Sequence, residues 1–209
     1  MALIDRRLVL AVIAVLSLAA CNKGGGGVSS DEMSLGDPKA KVTVIEYASV
    51  ACPVCANFNQ TVFPDFKKKY IDTGKVHYVA REALTGNPSL AVAGFLLARC
   101  AGKDNYFKVT DAVYRAQDQI YEPGTENIRP AAGHEVLLHI AQSVGMSEDQ
   151  FNKCINDEKG IQALQERVDR LSKEYKVDST PTFVVNGKAL PAGAASLADL
   201  DAAIQPHLK

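Results

Sequence analysis

The spacing of apolar positions predicts a strand–helix–strand unit near the start of the folded part of the chain. Residues 41–48 are rich in β-branched side chains and predict a buried strand. Residues 53–70 carry apolar side chains four apart, which predicts a helix that Pro64 kinks or breaks. Residues 75–80 predict a second strand, so this region is expected to form a βαβ unit.

The pattern then changes to helical spacing. Apolar positions three and four apart predict four or five helices. Three of them cover 89–100, 104–117 and 131–144. A capping box at Ser147 opens a short fourth helix, and 161–171 belong to a long amphipathic one. Residues 120–130 predict a loop between two of them.

Strand spacing returns near residue 182. Residues 182–185 predict a strand, Asn186-Gly187 predicts a tight hairpin, and 188–190 predict the return strand. A capping box at Ser196 opens a final helix. The predicted order is therefore βαβ, then helices, then ββα.

Composition limits the function classes. The 209 residues are 47% hydrophobic and 22% charged, which is typical of a folded protein of roughly one domain. The formal net charge is −1, so the chain lacks the basic excess of a nucleic-acid-binding protein. Five cysteines are an odd number, so disulfides within the chain leave at least one cysteine that needs another explanation.

Residues 1–20 have the features of a secretory signal peptide. Arg6 and Arg7 precede a short apolar run, and Leu18-Ala-Ala-Cys21 resembles the lipobox of bacterial lipoproteins. We therefore expect Cys21 to be lipidated and 21–35, which is rich in glycine, to tether the protein to a membrane in the bacterial periplasm. Cleavage after Ala19 without a lipid is the alternative, and the residues flanking the arginine pair fit twin-arginine export poorly.

The motif Cys52-Pro53-Val54-Cys55 lies at the predicted strand-to-helix junction. There the free N–H groups of a helix start stabilise a Cys52 thiolate, and Cys55 is one turn further on, within reach for a disulfide. A zinc half-site is an alternative, although no second CxxC pair supplies further ligands. A purely structural disulfide is another.

Pro181 makes the cysteine motif more specific evidence for one family, because a thioredoxin fold places a cis-proline loop directly before its last hairpin. With the Cys52–Cys55 motif and the order of elements, residues 36–209 resemble the DsbA-like branch of the thioredoxin superfamily. The resemblance implies an α/β thioredoxin fold with an inserted helical subdomain. Its ranges would be 36–85 and 165–209 for the thioredoxin-fold domain and 86–164 for the insertion.

The resemblance also implies roles. Cys52 matches the nucleophile, Cys55 its partner and Pro181 the cis-proline. The backbone of Thr180 would pair with an extended substrate. Glu46 matches a buried acid that relays a proton for Cys55, unless it points outward or forms a satisfied salt bridge.

We also expect the dipeptide Pro53-Val54 to contact substrate. It differs from the corresponding dipeptide of the strongest oxidants of the family, which contains a histidine. Because Val54 cannot donate a hydrogen bond, we expect a higher Cys52 pKa and a less oxidising disulfide than in those enzymes. The direction of electron flow stays open.

Cys100 and Cys154 fall near the ends of predicted helices. In an oxidising compartment we expect a disulfide between them, and some DsbA-like proteins have a second disulfide in this region. Two buried free thiols are the alternative.

These observations predict a protein thiol:disulfide oxidoreductase. It would oxidise reduced exported proteins and be reoxidised by a DsbB-like membrane partner, as a monomer with no metal or organic cofactor. A reductase or isomerase of the same fold is the nearest alternative. A non-catalytic peptide-binding chaperone and a metallochaperone are further ones.

Overall fold

A computed structural model describes residues 31–209. The predicted signal peptide, Cys21 and most of the predicted tether lie outside the described residues. Within 31–209, none of the helices combines the length and the apolar character needed to cross a bilayer.

Five strands form one mixed sheet in the described part of the chain, in the order β1-β3-β2-β4-β5. Their bounds are Met33–Leu35 (β1), Val42–Ala48 (β2), Val76–Glu82 (β3), Thr182–Val185 (β4) and Lys188–Ala189 (β5). β2 and β3 run parallel, as a βαβ crossover requires, and the other pairs are antiparallel. The predicted βαβ and ββα units therefore share one sheet.

The helices of the described region follow the predicted order, except that the short helix Gln117–Ile120 was not predicted, so six helices and not four or five lie between β3 and β4. They are Pro53–Thr61 (α1), Phe63–Phe66 (α2), Pro88–Cys100 (α3), Lys103–Arg115 (α4), Gln117–Ile120 (α5), Pro130–Ser143 (α6), Glu148–Ile155 (α7), Glu158–Tyr175 (α8) and Leu197–Leu208 (α9). Both predicted capping boxes are present, at the starts of α7 and α9. The predicted helix over 53–70 is broken near Pro64, and its last part, Lys67–Ile71, is π-helical.

The predicted hairpin joins β4 to β5. Asn186 and Gly187 both have positive φ, at 45° and 81°, as the tight turn requires. The Asn186 side chain also accepts a hydrogen bond from the Thr43 backbone at 2.8 Å. The turn is therefore fastened to the start of β2 as well as to its own strands.

The predicted tether over 21–35 is too long, because Met33–Leu35 form the edge strand β1. Met33 pairs with Ala80 and Leu35 with Tyr78 on β3. Glu32, just before β1, forms an ion pair with the buried Arg81. Sequence patterning missed this strand because it is only three residues long, too short to show alternation.

The predicted domain boundary between 164 and 165 falls inside α8. Leu164 packs in the helical cluster, whereas Leu171 packs against Ile45 and Val184 of the sheet. One unbroken amphipathic helix therefore belongs to both parts.

The faces of β2 pack against different partners. Ile45 and Tyr47 face α8, whereas Val42 and Val44 pack with aromatic side chains of α1 and β4. Because side chains alternate along a strand, Glu46 faces the same side as Val44, toward α1.

Candidate redox site

The backbone places Cys52 at the start of α1. It is the N-cap residue, and its sulfur accepts a hydrogen bond from the Cys55 backbone N–H at 3.4 Å. Pro53 occupies the first turn, where a missing N–H costs no helical hydrogen bond. The predicted position at a helix N-terminus is therefore observed.

The cysteines of this motif are both free thiols here, and they differ in environment. Cys52 retains 8% of its surface exposed, whereas Cys55 is fully buried. The neighbouring Val54 is 58% exposed and Pro53 is also exposed. An incoming thiolate can therefore reach Cys52, beside an exposed apolar side chain, and cannot reach Cys55 directly.

Hydrogen bonding separates the acidities of the two thiols. The Cys55 thiol donates to the Cys52 sulfur, and this bond is the largest influence that lowers the pKa of Cys52 to about 5. The Thr180 side chain and the backbone N–H groups of Cys55 and Val54 lower it further. The bond between the two thiols, together with burial, raises the pKa of Cys55 far above its usual value. At neutral pH the reduced pair therefore carries a Cys52 thiolate and a protonated Cys55.

The loop before β4 lies against Cys52. The Thr180–Pro181 peptide bond is cis, and Pro181 is buried. The Thr180 carbonyl oxygen lies 3.6 Å from the Cys52 sulfur. The structure thus brings the two predicted parts of the site together across the sheet.

Glu46 is buried beneath this site, with 4% of its surface exposed. The Tyr78 hydroxyl donates a hydrogen bond to Glu46 Oε2 at 2.5 Å. Burial is the main cause that raises the pKa of Glu46 to about 7, and the Tyr78 bond opposes the shift. Glu46 therefore does not point outward, and the observed partner is a hydroxyl and not a cation.

Four residues that support the redox site were not predicted from the sequence, and two of them, Gln117 and Tyr121, hold the backbone before α1. Gln117 donates to the carbonyl groups of Val50 and Cys52, and the Tyr121 hydroxyl donates to that of Ala51. These bonds hold the segment that leads into α1.

Thr85 supports the other side of the site through a hydrogen bond between its hydroxyl and that of Thr180, at 2.6 Å. Tyr78 supports Glu46 from below. Only Tyr78 had a usable signal, because alternation along two paired strands places it on the same face as Glu46.

A second pair of cysteines lies in the helical part. Cys100 at the end of α3 and Cys154 in α7 form a disulfide, with a Cα–Cα distance of 6.2 Å. It joins α3 to α7.

Both the sequence and the fold of this chain are similar to those of known proteins. Residues 29–206 match the family described as thioredoxin. The chain belongs to the thioredoxin family. Among solved structures, this thioredoxin-family chain is similar to alpha-DsbA1 of Wolbachia pipientis, with a TM-score of 0.75 and 27% identity over 87% of this chain and 92% of that one. The predicted fold class and the predicted likeness to DsbA proteins are confirmed.

Curated relatives of this thioredoxin-family chain carry related names. A putative protein-disulfide oxidoreductase of Rickettsia conorii is 36% identical over 160 residues, which is 77% of this chain and 55% of that protein. A probable disulfide bond formation protein D of Bacillus anthracis is 30% identical over 76% of this chain and 71% of that protein. The chain thus spans little more than half the length of the Rickettsia relative.

Proposed function

We propose that this chain is a thiol:disulfide oxidoreductase of the DsbA type that donates its Cys52–Cys55 disulfide to exported proteins. The observation that carries the proposal is the asymmetry of the pair. An accessible Cys52 sulfur is stabilised as a thiolate, and a buried Cys55 stays protonated. The names of the Rickettsia and Bacillus relatives support the same activity.

The stabilised thiolate favours the direction of transfer. A low pKa at Cys52 stabilises the reduced form of the pair, and a stable reduced form makes the disulfide a stronger oxidant. The Cys55 thiol, the Thr180 side chain and the backbone N–H groups of Val54 and Cys55 supply this stabilisation without a histidine at position 54. The predicted difference from histidine-containing relatives stays a prediction, since it needs a measured potential.

The reaction balances in two steps. A substrate thiolate attacks the Cys52 sulfur, the Cys52–Cys55 bond breaks, and Cys55 leaves with the electron pair and takes a proton from Glu46. The second substrate thiol loses its proton to solvent and attacks the substrate sulfur of the mixed disulfide. The substrate leaves oxidised, Cys52 leaves as a thiolate, and Glu46 recovers a proton from solvent.

Substrate binding uses the exposed edge of the site. Pro53 and Val54 flank the reactive sulfur, and the Thr180–Pro181 loop offers backbone groups to an extended peptide. No organic cofactor or metal enters this scheme, because the disulfide itself is the redox group.

The proposed place of action is the bacterial periplasm, with the protein held at a membrane through lipidated Cys21. The sequence features at residues 1–21 support this location. There a DsbB-like membrane protein would reoxidise the monomer.

The deciding experiment is the equilibrium reduction potential of Cys52–Cys55 in glutathione buffers, with Cys100–Cys154 followed separately by peptide mass spectrometry. We expect a value near or above about −150 mV, as in strong oxidants. A value of roughly −230 to −270 mV would instead assign the chain to the reductase or isomerase class. A Cys52→Ser variant that still oxidises a reduced peptide would exclude the enzymatic mechanism.

A further inference from the structure

The loop between β3 and α3 contacts both halves of the redox site through Thr85, which is partly buried. The Thr85 carbonyl oxygen accepts a hydrogen bond from the Ser49 hydroxyl at 2.7 Å, in the segment before Cys52. The Thr85 hydroxyl lies 2.6 Å from the hydroxyl of Thr180, in the loop before β4. Thr85 therefore joins the segment that leads into α1 to the loop on the other side of Cys52.

The backbone around Thr85 is packed closely against the residues before Cys52. Gly86 has a φ of 73°, and a Cβ atom there would lie 2.5 Å from the Ala51 carbonyl oxygen. The Ser49 hydroxyl oxygen also accepts from the Ala51 N–H at 3.2 Å, and the Ser49 carbonyl oxygen accepts from the Cys52 N–H at 3.0 Å. These contacts fix the position of the Thr85 hydroxyl relative to the reactive sulfur.

The Thr180 hydroxyl has a second partner, the Cys52 sulfur. The Thr180 carbonyl oxygen lies 3.6 Å from this sulfur, and the Thr180 side chain is one of the groups that lower the pKa of Cys52. A threonine hydroxyl has a single proton, so it donates only one hydrogen bond. When Thr180 donates to the Cys52 thiolate, the bond between the two hydroxyls must therefore be donated by Thr85.

We propose that Thr85 is a positioning residue of the redox site: in the reduced protein its hydroxyl donates to Thr180, so that the Thr180 hydroxyl donates to the Cys52 thiolate. The two bonds form a chain that points toward the negative charge, and bonds in such a chain polarise and strengthen one another. The oxidised protein has no negative charge at Cys52 for this hydroxyl chain to stabilise.

The hydroxyl chain therefore favours the reduced form and makes the Cys52–Cys55 disulfide a stronger oxidant. The inference rests on the proposed function, because oxidising strength matters only if this disulfide is donated to substrates.

The opposite orientation of the bond between the two hydroxyls would have the opposite effect. If Thr180 donated to Thr85, its proton would point away from Cys52, and Thr85 would compete with the thiolate. Removing the Thr85 hydroxyl would then free Thr180 to donate to Cys52 and lower the pKa of Cys52. The sign of the change therefore distinguishes the two orientations.

Titratable groups around Cys52 come from several elements. They are Cys55 on α1, Glu46 on β2, Tyr114 on α4 and Tyr121 after α5. A substitution at residue 85 leaves these side chains unaltered, so a change in the titration of Cys52 can be assigned to the hydroxyl chain.

Thr85→Val removes the hydroxyl, keeps the shape of the side chain and leaves the backbone carbonyl that accepts from Ser49. Reduced protein is titrated from pH 3 to pH 9, and the Cys52 thiolate is followed by its absorbance at 240 nm. We expect the midpoint to rise by about half a pH unit, which is about threefold in the ionisation constant. Thr85→Ser keeps a hydroxyl and should retain the wild-type midpoint. An unchanged or lower midpoint for Thr85→Val would overturn the proposal.

A double-mutant cycle tests whether Thr85 acts through Thr180. Thr180→Val alone should raise the midpoint at least as much as Thr85→Val, and the double variant should show no further rise. Additive effects would mean that Thr85 acts by another route, and the proposal would be wrong. Thr73→Val is the matched control, because it removes a threonine hydroxyl bonded to the Lys69 carbonyl oxygen outside the site. An equal rise in this control would also overturn the proposal.

The equilibrium with glutathione gives a second readout. At neutral pH, Thr85→Val should shift the equilibrium constant about threefold toward the Cys52–Cys55 disulfide, because its thiolate is less stabilised. If wild-type protein does not oxidise a reduced dithiol peptide, the proposed function fails and this inference with it. If wild-type protein oxidises the peptide and Thr85→Val matches it in both midpoint and equilibrium constant, the hydroxyl chain alone is wrong.

Discussion

Replacing Glu46 with glutamine removes an ionisable group from the buried face of β2 and keeps its size. The carboxyl oxygen that accepts from Tyr78 is replaced by an amide oxygen that can accept the same bond. A pH-dependent difference in the free energy of unfolding between the two proteins therefore reports the cost of ionising Glu46 in the folded state.

The magnitude follows from the two pKa values of Glu46. The ordinary value of 4.5 applies to the unfolded chain, and burial raises the pKa to about 7 in the folded protein. The unfolded state therefore releases its proton first, and the folded protein loses stability as the pH rises from 4.5 to 7. At about 1.4 kcal/mol per pH unit, the loss is about 3 kcal/mol above pH 7.

The assay is urea unfolding of the oxidised proteins, followed by circular dichroism between pH 4 and pH 8.5. The disulfide form is chosen because the Cys52 thiolate, the smallest of the three influences on Glu46, is then absent. We expect the two proteins to differ little at pH 4 and the glutamine variant to be the more stable by up to about 3 kcal/mol at pH 8.5. A difference that stays constant across this range would refute a desolvated carboxyl group at this position.

Three further predictions concern the cysteines and one cap. In reduced protein the thiolate absorbance at 240 nm should appear with a midpoint near pH 5, and Cys55→Ala should raise that midpoint by at least about one pH unit; an unchanged midpoint would exclude the Cys55 thiol as the main cause. Replacing both Cys100 and Cys154 with alanine should lower the free energy of unfolding by about 4 kcal/mol, because their disulfide closes a loop with a sequence separation of 54; a loss under about 1 kcal/mol would contradict this. Ser147→Ala should cost about 1 kcal/mol in urea unfolding through the lost capping box of α7, with Ser147→Thr as the conservative control.

Much of the fold could be predicted because its signals are local. The break near Pro64 and the Asn186-Gly187 turn follow from the backbone preferences of those residues alone. The edge strand Met33–Leu35 could not be predicted, since three residues show no period and its stability comes from pairing with β3. The continuity of α8 across the expected boundary was also missed, because an amphipathic pattern does not say which layer each apolar residue contacts.

The chemistry of the site divides in the same way. The sequence by itself determined that the two cysteines lie within one turn at the start of a helix, because Cys55 follows Cys52 by three residues and a helical turn contains about 3.6. Only the tertiary structure decided that Thr180, 128 residues later, lies against the Cys52 sulfur and that Tyr78 holds Glu46. The physical reason is that local spacing sets which face a side chain occupies, whereas the order of strands in the sheet sets what that face meets.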